Sequence, residues 1–165
     1  MPRIPRDEAE RIIFDRFQSA FEREFGSPLT KVVHRDRPDF EAVDPRTGEQ
    51  IGVEITAAYQ NPREARIQYW DLDYWGSFTG SVDDLVGSLN RVIAAKAEKS
   101  KDYEFKGNLA LAVWLGSLVF QDKIAVGFFR HRIYVPENLY SDIWLILRNQ
   151  EDQSYELYLL QGNIS

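Results

Sequence analysis

The chain has no cysteine, a single methionine and only two histidines in 165 residues. The first absence excludes disulfides, thiolate zinc sites and cysteine nucleophiles, and it fits a reducing compartment. No apolar run approaches the roughly 18 residues of a membrane-spanning helix. The opening Met1-Pro2-Arg3-Ile4-Pro5-Arg6 lacks the apolar centre of a signal peptide. A soluble, cytoplasmic protein with no membrane partner is therefore expected. A basic excess is missing too: 20 Lys and Arg stand against 26 Asp and Glu, giving a net charge of −6 and a pI near 5.0. That balance argues against a generalised electrostatic grip on a polyanion. It leaves room for an enzyme whose acids hold a metal while local Lys and Arg line a groove.

Against these absences stand 44% hydrophobic and 13% aromatic residues, enough for one well-buried core and too little chain for two typical domains. No internal repeat, linker or low-complexity run divides it, so residues 1–165 are expected to form a single domain.

The chemistry centres on Arg37-Pro38-Asp39-Phe40 and Gly52-Val53-Glu54-Ile55-Thr56. If two strands flank the loop from Asp44 to Glu49, pairing outward from Asp44 opposite Glu49 sets Asp39 across from Glu54. Cross-strand neighbours lie about 5 Å apart at Cβ, and like charges there repel. Such a pair calls for a cation, a proton or a solvated rim, and a divalent ion with oxygen ligands is the most productive of these. Glu54 and Thr56 share a strand face, because strand side chains alternate.

Residues 7 to 25 read as an amphipathic helix, with Phe14, Phe17, Phe21 and Phe25 at spacings of 3, 4 and 4 and a stop at Gly26 and Pro28. Glu10 falls on the same stripe, where a carboxylate is out of place. Two readings stay open for it. Asp7-x-x-Glu10 matches a capping-box start, and alternatively Glu10 is aimed from the helix at the paired acids. Thr30 to Arg35, Pro38 to Val43 and Gln50 to Ala58 then form an antiparallel meander. His34, in the first of these strands, is taken as structural and left out of the site.

Tyr59 to Gly80, crowded with Tyr69, Trp70, Tyr74, Trp75 and Phe78, reads as a helical or lid-like insertion rather than a base-stacking platform. Ser81-Val82-Asp83-Asp84 opens a second helix running to about Asp102, with Val82, Leu85, Leu89, Val92 and Ile93 on one side. Lys96 returns to within about 20° of that apolar centre line, whereas Lys101 points outward and Lys99 lies on the flank. A lysine there needs a route to water along its stem or an anionic partner. Leu109 to Leu115 is a continuous apolar run, as expected for a strand buried on both faces and reached by a helical crossover. Residues 118 to 135 fit either a helix or strands, and Ile143 to Leu147 and Tyr155 to Leu160 read as two further strands around a turn.

This order, together with Pro38-Asp39 and Glu54-Ile55-Thr56 fifteen residues on, resembles the PD-(D/E)XK phosphodiesterase superfamily, the restriction-endonuclease-like fold. The resemblance covers residues 7 to 115 by architecture and rests on few matching residues. It implies an α/β (α+β) fold with a mixed central sheet and flanking helices, an αβββαβ core to which this chain adds C-terminal strands. It implies that Asp39 and Glu54 bind Mg²⁺ or Mn²⁺, with Glu10 where many members carry a first-helix glutamate. The superfamily's lysine, two residues after the second acid, is here Thr56. Some members supply that lysine from a neighbouring helix, which makes Lys96 its replacement and Lys99 the fallback. Lys99-x-x-x-Tyr103 resembles a degenerate Gln-x-x-x-Tyr element of exonuclease-like members.

The expectation is a metal-dependent nuclease acting on DNA or RNA, with Asp39, Glu54, Lys96, Thr56 and Glu10 as site residues. Thr56 can orient a water, and it is equally a good strand former. Two other readings stay open: a catalytically inactive nuclease-like fold that binds nucleic acid or protein, and an unrelated α/β domain whose two acids are surface residues. The C-terminal strands and spare aromatics leave room for a homodimer surface.

Overall fold

The computed structural model describes residues 5–59, 81–117 and 121–162. The insertion expected between Tyr59 and Gly80 lies, beyond Tyr59 itself, outside the described residues. The elements are α1 (Arg6–Phe25), β1 (Thr30–His34), β2 (Phe40–Val43), β3 (Gln50–Tyr59), α2 (Val82–Ser100), β4 (Asn108–Gly116), α3 (Lys123–Phe129) with a 3₁₀ turn at Arg130–Arg132, β5 (Asp142–Arg148) and β6 (Tyr155–Gln161). The mixed α/β class with a central sheet and flanking helices is thus what the chain adopts. Within the stretch 118 to 135, ambiguous in sequence, Lys123–Phe129 and Arg130–Arg132 form α3 and its 3₁₀ extension.

Six strands lie in chain order across one sheet. The β1–β2–β3 meander is antiparallel, β3, β4 and β5 run parallel, and β6 returns antiparallel to β5. Parallel neighbours need crossovers, and α2 and α3 supply them. Strand alternation then sorts the core into two layers. Phe40, Val53, Ile55, Ala110, Ala112, Trp114, Trp144 and Ile146 face α1, whose Phe14, Phe17 and Phe21 are buried against them. Leu109, Leu111, Val113, Leu115, Ile143 and Leu145 face α2 and α3, meeting Leu85, Leu89, Ile93, Val126 and Phe129. Each fully buried aromatic or leucine contributes on the order of 2 kcal/mol, so two closed layers fix which sheet face every polar side chain occupies. Among the described residues no helix is long and apolar enough to cross a membrane.

The helix ends follow local chemistry in two cases and depart from it in a third. Ser81 accepts from the Asp84 amide while the Asp84 side chain accepts from the Ser81 amide, a complete capping box. At the other end of α1, Gly26 takes φ 86°, a left-handed turn that glycine adopts without penalty, and its amide closes on the Glu22 carbonyl at 2.8 Å. The start of α1 differs from expectation. No side chain caps it, because the helix begins at Arg6 with Pro5 at the cap position, and Asp7 lies inside the first turn. Strand β2 also begins later than expected, at Phe40 rather than Pro38. Its ladder stops there because the Asp39 amide is engaged by a side chain instead of a strand carbonyl.

Candidate metal centre

The β2–β3 turn sets the register of the site. The Asp44 amide donates to the Glu49 carbonyl at 2.9 Å, and Val43 faces Gln50 through to Phe40 facing Val53. One step further brings Asp39 opposite Glu54. The two residues clasp each other: the Asp39 amide donates to Glu54 Oε1 at 3.1 Å, and the Ile55 amide donates to Asp39 Oδ2 at 2.8 Å. Both carboxylates are buried, with Asp39 5% and Glu54 1% exposed.

Glu54 faces the α2 side of the sheet, opposite in parity to Val53 and Ile55. Lys96, one turn before the end of α2, extends back to it and donates to Glu54 Oε2 at 3.0 Å. Its apolar stem lies with the buried Ile93 and Ala97 stripe of α2 while its ammonium meets a buried acid. Lys99 makes no such contact among the described residues, and Lys101 pairs outward with Glu98. Thr56, half-buried, lies two residues beyond Glu54 on the same face of β3.

The local electrostatics are those of two acids sharing one lysine. Burial pushes the Asp39 carboxyl up to about 6, the charge of Glu54 adds to the rise, and the Ile55 amide and Lys96 oppose it. Two tyrosines complete the surroundings. The Tyr140 hydroxyl donates to the Lys96 carbonyl at 3.2 Å. The Tyr103 hydroxyl is buried beside the Glu54 carboxylate, to which it offers its proton. Burial first, and then the neighbouring Glu54 charge, raises both phenols above their ordinary range, so both stay protonated.

Glu10 lies elsewhere. It accepts from Arg6 Nε at 3.0 Å and meets His34 Nε2 at 3.1 Å. The His34 ring stacks on Phe40 at 4.5 Å, and Phe40 stacks on Phe14 at 4.0 Å, which sets the pair on the α1 side. Glu10 reaches Asp39 only as a distant charge, a lesser contribution to the raised carboxyl. The three-residue group of acids and histidine that comes together among the described residues is Asp7, Glu10 and His34, with ligand atoms within 4.8 Å of one another, and Asp39 and Glu54 stand outside it. The capping-box reading of Glu10 therefore gives way to a tie between α1 and β1, and His34 proves to be its partner.

The Asp39–Glu54 pair fits a hard divalent cation. Two buried carboxylates against one ammonium leave an excess negative charge. Asp39 Oδ1 accepts no hydrogen bond from the described residues, while Glu54 accepts from the Asp39 amide and Lys96 and has the Tyr103 hydroxyl beside it. Carboxylate oxygens with room for waters suit Mg²⁺ or Mn²⁺. Comparison with protein-family models, with curated proteins and with solved structures returned no match in any of the three.

Proposed function

We propose that the chain is a metal-dependent phosphodiester hydrolase of the restriction-endonuclease-like type, acting on DNA or RNA, with Mg²⁺ or Mn²⁺ held by Asp39 and Glu54. The observation that carries this reading is the Lys96 ammonium at 3.0 Å from Glu54 Oε2. It brings a cation from the helix to a site where Thr56 offers none.

A bound divalent ion would supply Lewis-acid polarisation of a phosphoryl oxygen and a water of lowered pKa. The chain's own residues do the rest. Asp39 and Glu54 orient through their clasp with the Asp39 and Ile55 amides, so the β2–β3 pairing itself fixes both carboxylates. Asp39 must lose its proton to serve, which ties activity to pH above about 6. Lys96 holds positive charge beside the pair, where it can neutralise charge developing on a phosphoryl oxygen. The Thr56 hydroxyl, on the same strand face, is available to orient a water.

One observation favours a second reading. Both Glu54 oxygens and Asp39 Oδ2 already accept hydrogen bonds within the protein, so the pair can serve as an internal clasp in a catalytically inactive fold that binds nucleic acid or protein. Labelled single- and double-stranded DNA and RNA, incubated with Mg²⁺ or Mn²⁺, separate the two. The hydrolase reading expects cleavage that is lost in Asp39→Ala and Glu54→Ala and in excess EDTA. Cleavage that survives both substitutions sinks it, and tight binding without cleavage supports the inactive fold.

A further inference from the structure

Arg16, Arg130 and Arg148 are half-buried among the described residues, and the Arg46 side chain is 28% exposed. Two of them are fully engaged: Arg46 is paired with Asp44 at 2.7 Å, and Arg130 donates to the carbonyls of Ile133 and Leu160. Arg16 and Arg148 are different. Neither has a carboxylate partner or a side-chain hydrogen bond among the described residues, and Arg148 Nε is buried without any acceptor. A charged donor out of water with no acceptor costs several kcal/mol if nothing else meets it.

Both arginines adjoin Tyr155. The Arg16 guanidinium lies 4.5 Å from the Trp114 ring centroid and 5.6 Å from that of Tyr155. Tyr155 is the register partner of Arg148 across β5 and β6, so the two share a sheet face as immediate cross-strand neighbours. Trp114 and Tyr155 meet edge to face at 5.9 Å. Trp114 is 2% exposed, and its indole Nε1, like Arg148 Nε, is a buried donor with no acceptor. Glu156, which follows Tyr155, is turned to Asn149 and Arg23 instead. Around Trp114 and Tyr155 thus stand Arg16, Arg148 and an indole donor, with no carboxylate paired to them among the described residues. This group lies on the α1 face, opposite the Glu54 and Lys96 side, toward the carboxyl ends of the parallel strands, since Trp114 pairs with Ala57 and Leu111 pairs with Glu54. Ligands of open sheets with parallel strands bind characteristically at that end.

We propose that Arg16, Arg148 and Trp114 form a binding site for a phosphate group. Guanidinium forks match phosphate oxygens in pairs, and the Trp114 indole supplies one further directed donor. The site is independent of the acid pair and of the hydrolase reading, because no residue is shared.

The test reads the Trp114 indole N–H directly by NMR in the presence of EDTA, where metal-dependent cleavage is silent. The chain has four tryptophans, and Trp114→Phe identifies the resonance. Inorganic phosphate, a 5′-phosphorylated oligonucleotide and the same oligonucleotide with a 5′-hydroxyl are titrated in turn. The expected result is a saturable shift of that one resonance, weakened about tenfold in Arg16→Gln and in Arg148→Gln and unchanged in Arg91→Gln, whose arginine lies exposed on α2. A shift with the 5′-phosphorylated strand alone assigns a terminal phosphate, a shift with both strands assigns the diester backbone, and a shift with inorganic phosphate alone assigns the free ion. Arg148→Lys, which keeps the charge and loses the fork, guards against variants that fail to fold and is expected to bind with intermediate affinity. A Trp114 resonance unmoved by all three ligands overturns the proposal, as does a shift of full affinity in both glutamine variants.

Discussion

Lys96 Nζ and Glu54 Oε2 lie 3.0 Å apart across 42 positions of sequence, the lysine side chain 17% and the glutamate side chain 1% exposed. Removing the lysine leaves two acids buried beside each other without a cation. Lys96→Met is therefore expected to lower stability near neutral pH by about 3 kcal/mol, the low end for a broken buried pair because the ammonium retains some solvent. Urea denaturation measures it. Adding Glu54→Gln to the same chain should restore a good part of the loss, and a double-mutant cycle with no coupling between the two sites would refute the account.

Asp39 supplies a pH signature. Its carboxyl titrates at about 6 in the folded protein against an ordinary 3.8, so the folded state binds that proton more tightly than the unfolded state. Its contribution is fully present below about pH 4 and is lost as pH rises through 6. Relative to Asp39→Asn, wild type should lose up to about 3 kcal/mol of stability over that window, two units at about 1.4 kcal/mol each. A divalent ion competes with the proton, so thermal stabilisation by Mg²⁺ should be larger above pH 6 than at pH 5. Equal stabilisation at both would count against Asp39 as a ligand.

Much of this geometry is legible in sequence, and the parts that are not have a common cause. The facing of Asp39 and Glu54 follows from counting outward from Asp44 and Glu49, because a hairpin fixes its register locally. Lys96 is legible as a charge interrupting the 3.6-residue stripe of α2, and Ser81 to Asp84 as a capping box. Glu10 shows the limit. Its place on the α1 stripe is visible, yet its partner His34 depends on how α1 docks over β1, which no local pattern encodes. Tyr140 carries no signal at all, since it comes from the loop before β5 and only the closing of the sheet brings it to the Lys96 carbonyl. Arg16 and Arg148 likewise read as ordinary helix and strand-end cations until the α1 layer sets them around Trp114 and Tyr155.

The separation of Glu10 from the acid pair makes a direct prediction. Glu10→Ala removes the contacts to Arg6 and His34 and only a distant charge from Asp39. Mg²⁺ affinity, measured by calorimetry, should change less than about threefold, whereas Asp39→Ala should abolish it. Stability should fall by about 1 kcal/mol through the lost α1–β1 tie. A loss of Mg²⁺ binding in Glu10→Ala comparable to that in Asp39→Ala would place the first-helix glutamate among the metal ligands.

Gly52 links the packing of the sheet to the acid pair. A methyl group at this position would stand 2.6 Å from Pro38 Cγ and 3.1 Å from both Leu109 Cδ1 and Phe105 Cε1. The proline ring is rigid and its neighbour is Asp39, so the strain passes directly into the clasp between Asp39 and Glu54. Gly52→Ala is expected to destabilise the fold by about 1 to 3 kcal/mol, the range for inserting a methyl group into a filled core. Because the Asp39 amide and carboxylate would both shift, the variant should also lose Mg²⁺ affinity and phosphodiester cleavage out of proportion to its stability loss. The check is calorimetry and cleavage at a temperature where the variant remains folded by circular dichroism. A folded Gly52→Ala protein with wild-type Mg²⁺ binding would show that the pair tolerates movement of Pro38, and that the close approach of Gly52 serves packing alone.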